Sequence, residues 1–135
     1  MKTIALFAGL LICLTACHTT NKKLKAITVD ADSVAINYFK GDGSVDTVVS
    51  VKIIRDKNDI NKLSEFVSGN AADPNIKCGY DGSLHFFKRD SVVQDIYFRM
   101  NDEQCRLFSF LQDGIIQATV LTENSKQFLE QLKKY

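Results

Sequence analysis

A chain of 135 residues with 17 basic and 16 acidic side chains, 45% hydrophobic residues, 7 Gly and 1 Pro has the composition of one globular domain, which excludes disordered, collagenous and coiled-coil readings. Its net charge of +1 supplies no field to attract nucleic acid, and the absence of Trp removes the strongest cue for base or sugar stacking. Composition therefore names no partner and argues against a nucleic-acid one.

Met1-Lys2-Thr3 brings one positive charge ahead of an apolar run, Ile4 to Leu14. Its 11 residues fall short of the roughly 18 that a membrane-spanning helix needs. The pattern is that of a secretory signal peptide. Leu14-Thr15-Ala16-Cys17 follows: an aliphatic residue, two small residues and a cysteine. This resembles the lipobox of bacterial lipoproteins. The resemblance implies that the Cys17 thiol is alkylated with a diacylglyceryl group, that residues 1–16 are removed, and that Cys17 becomes the first mature residue. Two or three acyl chains, at about 0.8 kcal/mol per buried methylene, make such an attachment effectively permanent. The implied first partner is the membrane, and the implied location is the bacterial cell envelope, with the domain in the periplasm or at the surface. His18 follows the cysteine, not the aspartate that resembles an inner-membrane retention signal in some Gram-negative lipoproteins, so the outer membrane is favoured. The resemblance ends at residue 17 and implies nothing about the fold beyond it.

Residues 17–23 read as lipid anchor and short polar tether, and residues 24–135 as a single domain. Residues 24–29 and 33–40 are β-rich with partial alternation, and Gly41-Asp42-Gly43-Ser44 marks a turn into a strand over 46–55. Asp56 to Asp59 offers capping oxygens for a helix whose apolar positions Ile60, Leu63, Phe66 and Val67 recur at helical spacing until Gly69-Asn70. Residues 70–80 hold the single Pro74 and read as an exposed loop. Strands are expected over 83–88, 91–100, 105–112 and 115–122, with Asp113-Gly114 as a hairpin turn. A last helix is capped by Asn124 and buries Phe128, Leu129 and Leu132. The expected fold class is α+β: an antiparallel sheet of about six strands packed by two helices, in the order ββα-ββ-ββα.

Cys13 leaves with the signal and Cys17 carries lipid, so Cys78 and Cys105 remain to form a disulfide in an oxidising compartment. The bridge closes a loop of 28 residues, worth roughly 3.6 kcal/mol in loop-closure entropy. No Cys-x-x-Cys spacing is present and His85 is the sole imidazole of the folded part, too few ligands for a closed zinc site, so neither metal nor cofactor is expected.

Strand alternation sorts Leu84, Phe86, Ile96, Phe98, Leu107 and Leu111 to one side of the sheet. His85, Phe87, Asp95, Tyr97, Arg99, Arg106, Phe108 and Phe110 fall on the other. If the helices cover the first set, the second presents rings interleaved with arginines and a histidine, a face suited to gripping a protein or polymer. The competing reading has this face covered by the 24–29 strand or the 70–80 loop as a second core. No nucleophile, base and oxyanion series is visible, and His85 reads as a sheet histidine rather than a general base. The expected function is a non-catalytic binding or inhibitory lipoprotein. An accessory structural subunit of an envelope assembly is the alternative, and an enzyme a distant third.

Overall fold

Alternation decides the first strand: in Ser33-Val34-Ala35-Ile36-Asn37-Tyr38-Phe39, the side chains of Val34, Ile36 and Tyr38 are buried on one side while Ala35 and Asn37 turn to the other. The computed structural model describes residues 20–135 apart from Gly43 and Asp46. The expected leader and the lipobox with Cys17 lie outside the described residues.

In chain order the elements are α1 (Lys22–Val29), β1 (Ser33–Phe39), β2 (Val48–Ile54), α2 (Lys57–Val67), β3 (Ala71–Ala72), β4 (Gly82–Lys88), β5 (Ser91–Arg99), β6 (Leu107–Gln112), β7 (Ile115–Val120) and α3 (Glu123–Lys134). The strands form one seven-stranded antiparallel sheet in the order β2-β1-β4-β5-β6-β7-β3. Leu24 of α1, Ile60, Leu63 and Val67 of α2, and Phe128 and Leu129 of α3 join one core with Val34, Ile36, Leu84, Phe86, Ile96, Phe98 and Phe108 of the strands. The expected α+β class, an antiparallel sheet packed by helices, is what the chain forms, with one more helix than the residue pattern marks and an unmarked strand, β3, as the seventh.

The additional helix corrects the first expected strand: residues 24–29 belong to α1. Ile27, Thr28 and Val29 are β-branched, yet Asn21 caps the segment by accepting from the Leu24 amide at 3.0 Å, and Leu24 and Thr28, one turn apart, are its buried positions. Thr28 Oγ1 donates to the Leu24 carbonyl at 2.9 Å and lies 2.6 Å from Ser64 Oγ, so its hydroxyl is satisfied where α1 meets α2. The additional strand, β3, is only Ala71 and Ala72, paired with Thr119 and Ala118 at the edge of β7. At α3 the cap is Thr122, accepting from the Ser125 amide at 3.2 Å, in place of the expected Asn124. The buried Tyr38 hydroxyl donates to the Leu129 carbonyl at 2.6 Å and ties α3 to β1, while desolvation pushes its pKa well above the usual tyrosine value.

Pairing between β5 and β6 overturns part of the expected face. Tyr97 lies opposite Ser109, Phe98 opposite Phe108 and Arg99 opposite Leu107. Residues directly opposite share a face, so Phe108 and Phe110 join Phe98 in the core, whereas Leu107 and Leu111 turn to the outer side. The strand also starts at Leu107, leaving Arg106 in the preceding connection.

At one end of the sheet Cys78 and Cys105 form the expected disulfide, with Cα atoms 6.1 Å apart, joining the entries of β4 and β6 across the end of β5. Beside it the buried Asp81 accepts from the Met100 amide at 2.8 Å, the Asn101 amide at 3.0 Å and Arg99 Nη1 at 2.9 Å. At the other end, β4 turns into β5 through Arg89 and Asp90, both non-glycine residues at positive φ, 50° and 65°. The Asp32 carboxylate accepts from the Arg89 amide at 2.9 Å, and this bond holds its pKa below the usual aspartate value.

Two outcomes test this packing. Phe108→Ala removes a core ring and should cost about 3–5 kcal/mol in urea unfolding, while Tyr97→Ala on the outer side should cost about 1 kcal/mol or less; similar losses for both would contradict the assigned β6 register. For Asp32, the depressed pKa means its contribution is present above the unfolded value near 3.9 and disappears as pH falls through the lower folded value. Asp32→Asn should therefore flatten the acid-side fall of the unfolding midpoint below about pH 4, and an unchanged acid limb would show that the Arg89 bond does not stabilise the turn.

Candidate functional site

The three helices occupy one side of the sheet, and the other side is covered only in part. β3 lies at an edge and β4 in the middle, so the connecting residues 73–81 must cross β7, β6 and β5. The Tyr80 ring packs 5.0 Å from that of Tyr97, which places the crossing on the outer side. Under it Leu107, Ser109 and Ala118 are buried. Beyond it, toward the β4–β5 and β6–β7 turns, the outer side is open and carries exposed Val92, Val93, Leu111 and Ile116.

A cleft of about 550 Å³ occupies this open region. It forms because the β5–β6 ladder stops at the Tyr97–Ser109 pair, so the first part of β5 and the last part of β6 do not pair. Gln94 Nε2 reaches the Leu111 carbonyl at 3.3 Å across the gap. Val92 and Val93 line the cleft from β5, Leu111 and Ile116 from the β6–β7 hairpin, and Phe110 and Ser109 lie between.

One wall of the cleft is an ordered polar chain. His85 Nδ1 lies 2.5 Å from Asp95 Oδ1, and His85 Nε2 lies 2.9 Å from Ser83 Oγ and 3.2 Å from Asn37 Nδ2. The Asn37 amide nitrogen can only donate, so Nε2 accepts and Nδ1 carries the proton shared with Asp95. The connectivity is that of a serine–histidine–aspartate relay, but the placement is not. Ser83 is 2% exposed and does not line the cleft, while His85 and Asp95 do. The Ser83 backbone lies between the paired strands β1 and β5, where it offers no free amide pair for an oxyanion. What the chain of bonds does is fix the His85 ring as a rigid part of the wall.

Of the residues expected to share a binding face, His85, Phe87 and Tyr97 do lie on the outer side, and His85 and Tyr97 line the cleft. Arg99 lies on that side too, but its guanidinium is committed to Asp81. Arg106 Nη1 donates to Glu123 Oε2 at 2.6 Å, so it holds α3 rather than presenting a charge. Phe108 is core, and Phe110 is 4% exposed and meets the cleft only at its floor. Cys78, Cys105 and Asp102 bring ligand atoms close together, but both sulfurs are joined in the disulfide and offer no thiolate.

Alternation alone does not mark Val92, Val93 and Gln94 as cleft residues. A two-residue turn at Arg89-Asp90 in uniform register would set Gln94 opposite His85. The ladder instead slips between Phe86 and Phe87, with Val93 as the extra residue, and this brings Asp95 opposite His85. The one available signal is the run Ser91-Val92-Val93, whose adjacent valines cannot both face the core.

A fluorophosphonate probe that phosphonylates activated serines with loss of fluoride should leave Ser83 unmodified after prolonged incubation, as read by peptide mass; a stoichiometric adduct would establish a reactive nucleophile there. Comparison with protein-family models, curated proteins and solved structures finds no match to this chain.

Proposed function

We propose that this protein is a lipid-anchored lipoprotein of the bacterial cell envelope, with the outer membrane favoured, and that its folded domain binds a partner without catalysis in the outer-face cleft. The observation that carries the binding reading is the cleft itself. Its volume of about 550 Å³ lies within the range of ligand sites, roughly 300–1,000 Å³. Aliphatic walls from β5 and the β6–β7 hairpin flank a few fixed polar groups, His85, Asp95 and Gln94. Because the facing backbones of β5 and β6 stop pairing there, the class of ligand that suits it best is an extended peptide segment. Such a segment can add main-chain hydrogen bonds to those strands and set alternate side chains against the valines and isoleucine.

The anchor reading is supported by Leu14-Thr15-Ala16-Cys17, and the envelope by the disulfide, since such bridges persist in oxidising compartments. A second reading, an accessory structural subunit of an envelope assembly, draws on β2. Among the described residues this strand pairs only with β1, and its Val48, Val49, Val51 and Ile53 are all exposed. Natural edge strands are usually blunted, so a long apolar one suits a permanent neighbour that continues the sheet.

A photo-crosslinking residue placed at Val93 or Val51 in the full chain, in living cells, separates the two readings. A discrete protein adduct from Val93 supports cleft binding. An adduct from Val51 alone favours the assembly subunit. Cys17→Ser should release the protein from the membrane fraction, and retention there would overturn the lipid anchor.

A further inference from the structure

We propose that the tip of the β6–β7 hairpin is a second membrane contact, seated in the headgroup layer of the bilayer that the acyl chains enter; this rests on the lipid-anchor reading. The hairpin closes at the Gln112–Ile115 pair through Asp113 and Gly114, with φ of 53° and 75°. Positive φ at both central residues makes a type I′ turn, whose twist matches that of the strands and keeps the tip rigid. On it Leu111, Ile115 and Ile116 are 61%, 62% and 56% exposed, the most exposed large aliphatic side chains among the described residues.

The chain enters the folded domain beside this tip. Asn21 Nδ2 donates to Gln112 Oε1 at 2.7 Å, Gln112 Nε2 donates back to Asn21 Oδ1 at 3.3 Å, and the Asn21 amide donates to the Ser68 carbonyl at 2.9 Å. Cys17 is four residues before Asn21 in the sequence. Four residues span at most about 14 Å when fully extended, so acyl chains on Cys17 place the bilayer surface within reach of the tip. Ile115, opposite Gln112, lies on the helix side of the hairpin and Leu111 and Ile116 on the outer side, so aliphatic side chains flank the tip on both faces and the anchor brings that tip to the bilayer. Asp113, the carboxylate of the turn, is paired with Lys23 and does not repel anionic headgroups as a bare charge would. Lys22, exposed in the same helical turn, adds a cation for them.

The test uses the full lipidated chain reconstituted into phosphatidylethanolamine–phosphatidylglycerol vesicles. An environment-sensitive fluorophore is attached at Ile115→Cys, or at Val51→Cys on the far edge strand as the control. Lipids carrying a nitroxide near the headgroup should quench the Ile115 probe at least about twofold more than the Val51 probe, as shallow interfacial insertion requires. Equal quenching at both sites, with the protein still floating with the vesicles, overturns the docking and leaves the anchor intact. Self-quenching at Ile115 that grows with protein density would show a second copy covering the tip, and also overturns it. Failure to float removes the anchor reading and the docking with it.

Discussion

Phe98 faces Phe108 across β5 and β6, and that pairing determines which side of the β6–β7 hairpin is core. With both rings fully buried, Phe110 must follow them inward and Leu111 must turn outward. A slip of one residue would bury Leu111 and expose two phenylalanines, at a cost that no surface contact offsets. The cleft wall, the floor at Phe110 and the aliphatic tip of the hairpin are all consequences of this register. None of them depends on a special residue at the site itself.

The two ends of the sheet are built for different purposes. At one, the disulfide, the Asp81 carboxylate with its three donors and the Tyr80–Tyr97 contact fix the 73–81 crossing over the outer side. A buried carboxylate is costly unless fully paired, and here the Arg99 charge and two backbone amides supply the pairing. That end is closed. At the other end the ladder between β5 and β6 has stopped, and two type I′ turns project without a covering loop among the described residues. The cleft lies at the boundary, walled by a rigid His85–Asp95 pair on one side and by the hairpin on the other.

Where residue pattern and energetics agree, the fold was readable from the residues. β1, β4 and the two later helices show clean periodicity, and the Cys78–Cys105 bridge follows from parity once the leader cysteines are set aside. The failures have physical causes. In Leu107-Phe108-Ser109-Phe110-Leu111 both phases are apolar, so alternation cannot choose, and only cross-strand pairing with Phe98 does. In α1 the β-branched triplet Ile27-Thr28-Val29 favours a strand locally, but the Asn21 cap and the burial of Leu24 and Thr28 against α2 prevail. Alternation puts Asp95 on the His85 side, but its place directly opposite His85 depends on a bulge signalled only by the adjacent valines, and Asn37 arrives from a strand 48 positions earlier in the sequence. The cleft was therefore legible only in part: His85, Asp95 and Tyr97 come from alternation, but Val93, Gln94 and Ile116 depend on where a ladder ends.

The hairpin tip is bonded to the start of α1, the helix that follows the proposed anchor. The capping residue Asn21 is also the residue that grips Gln112, and Lys23 in the first turn pairs with Asp113, so the start of the helix is bonded directly to the hairpin. Thr28 at the other end of the helix is bonded to Ser64 of α2. A lipid on Cys17 would then pull on the start of α1 beside the hairpin and keep this end of the sheet near the bilayer. Leu111 and Ile116 belong both to the tip and to the cleft wall. Under the proposed anchoring, the mouth of the cleft therefore opens close to the membrane plane, where it favours a segment that already lies near that surface over one diffusing freely. On that proposal, the same hairpin register that puts two phenylalanines into the core also sets the direction from which a ligand would come.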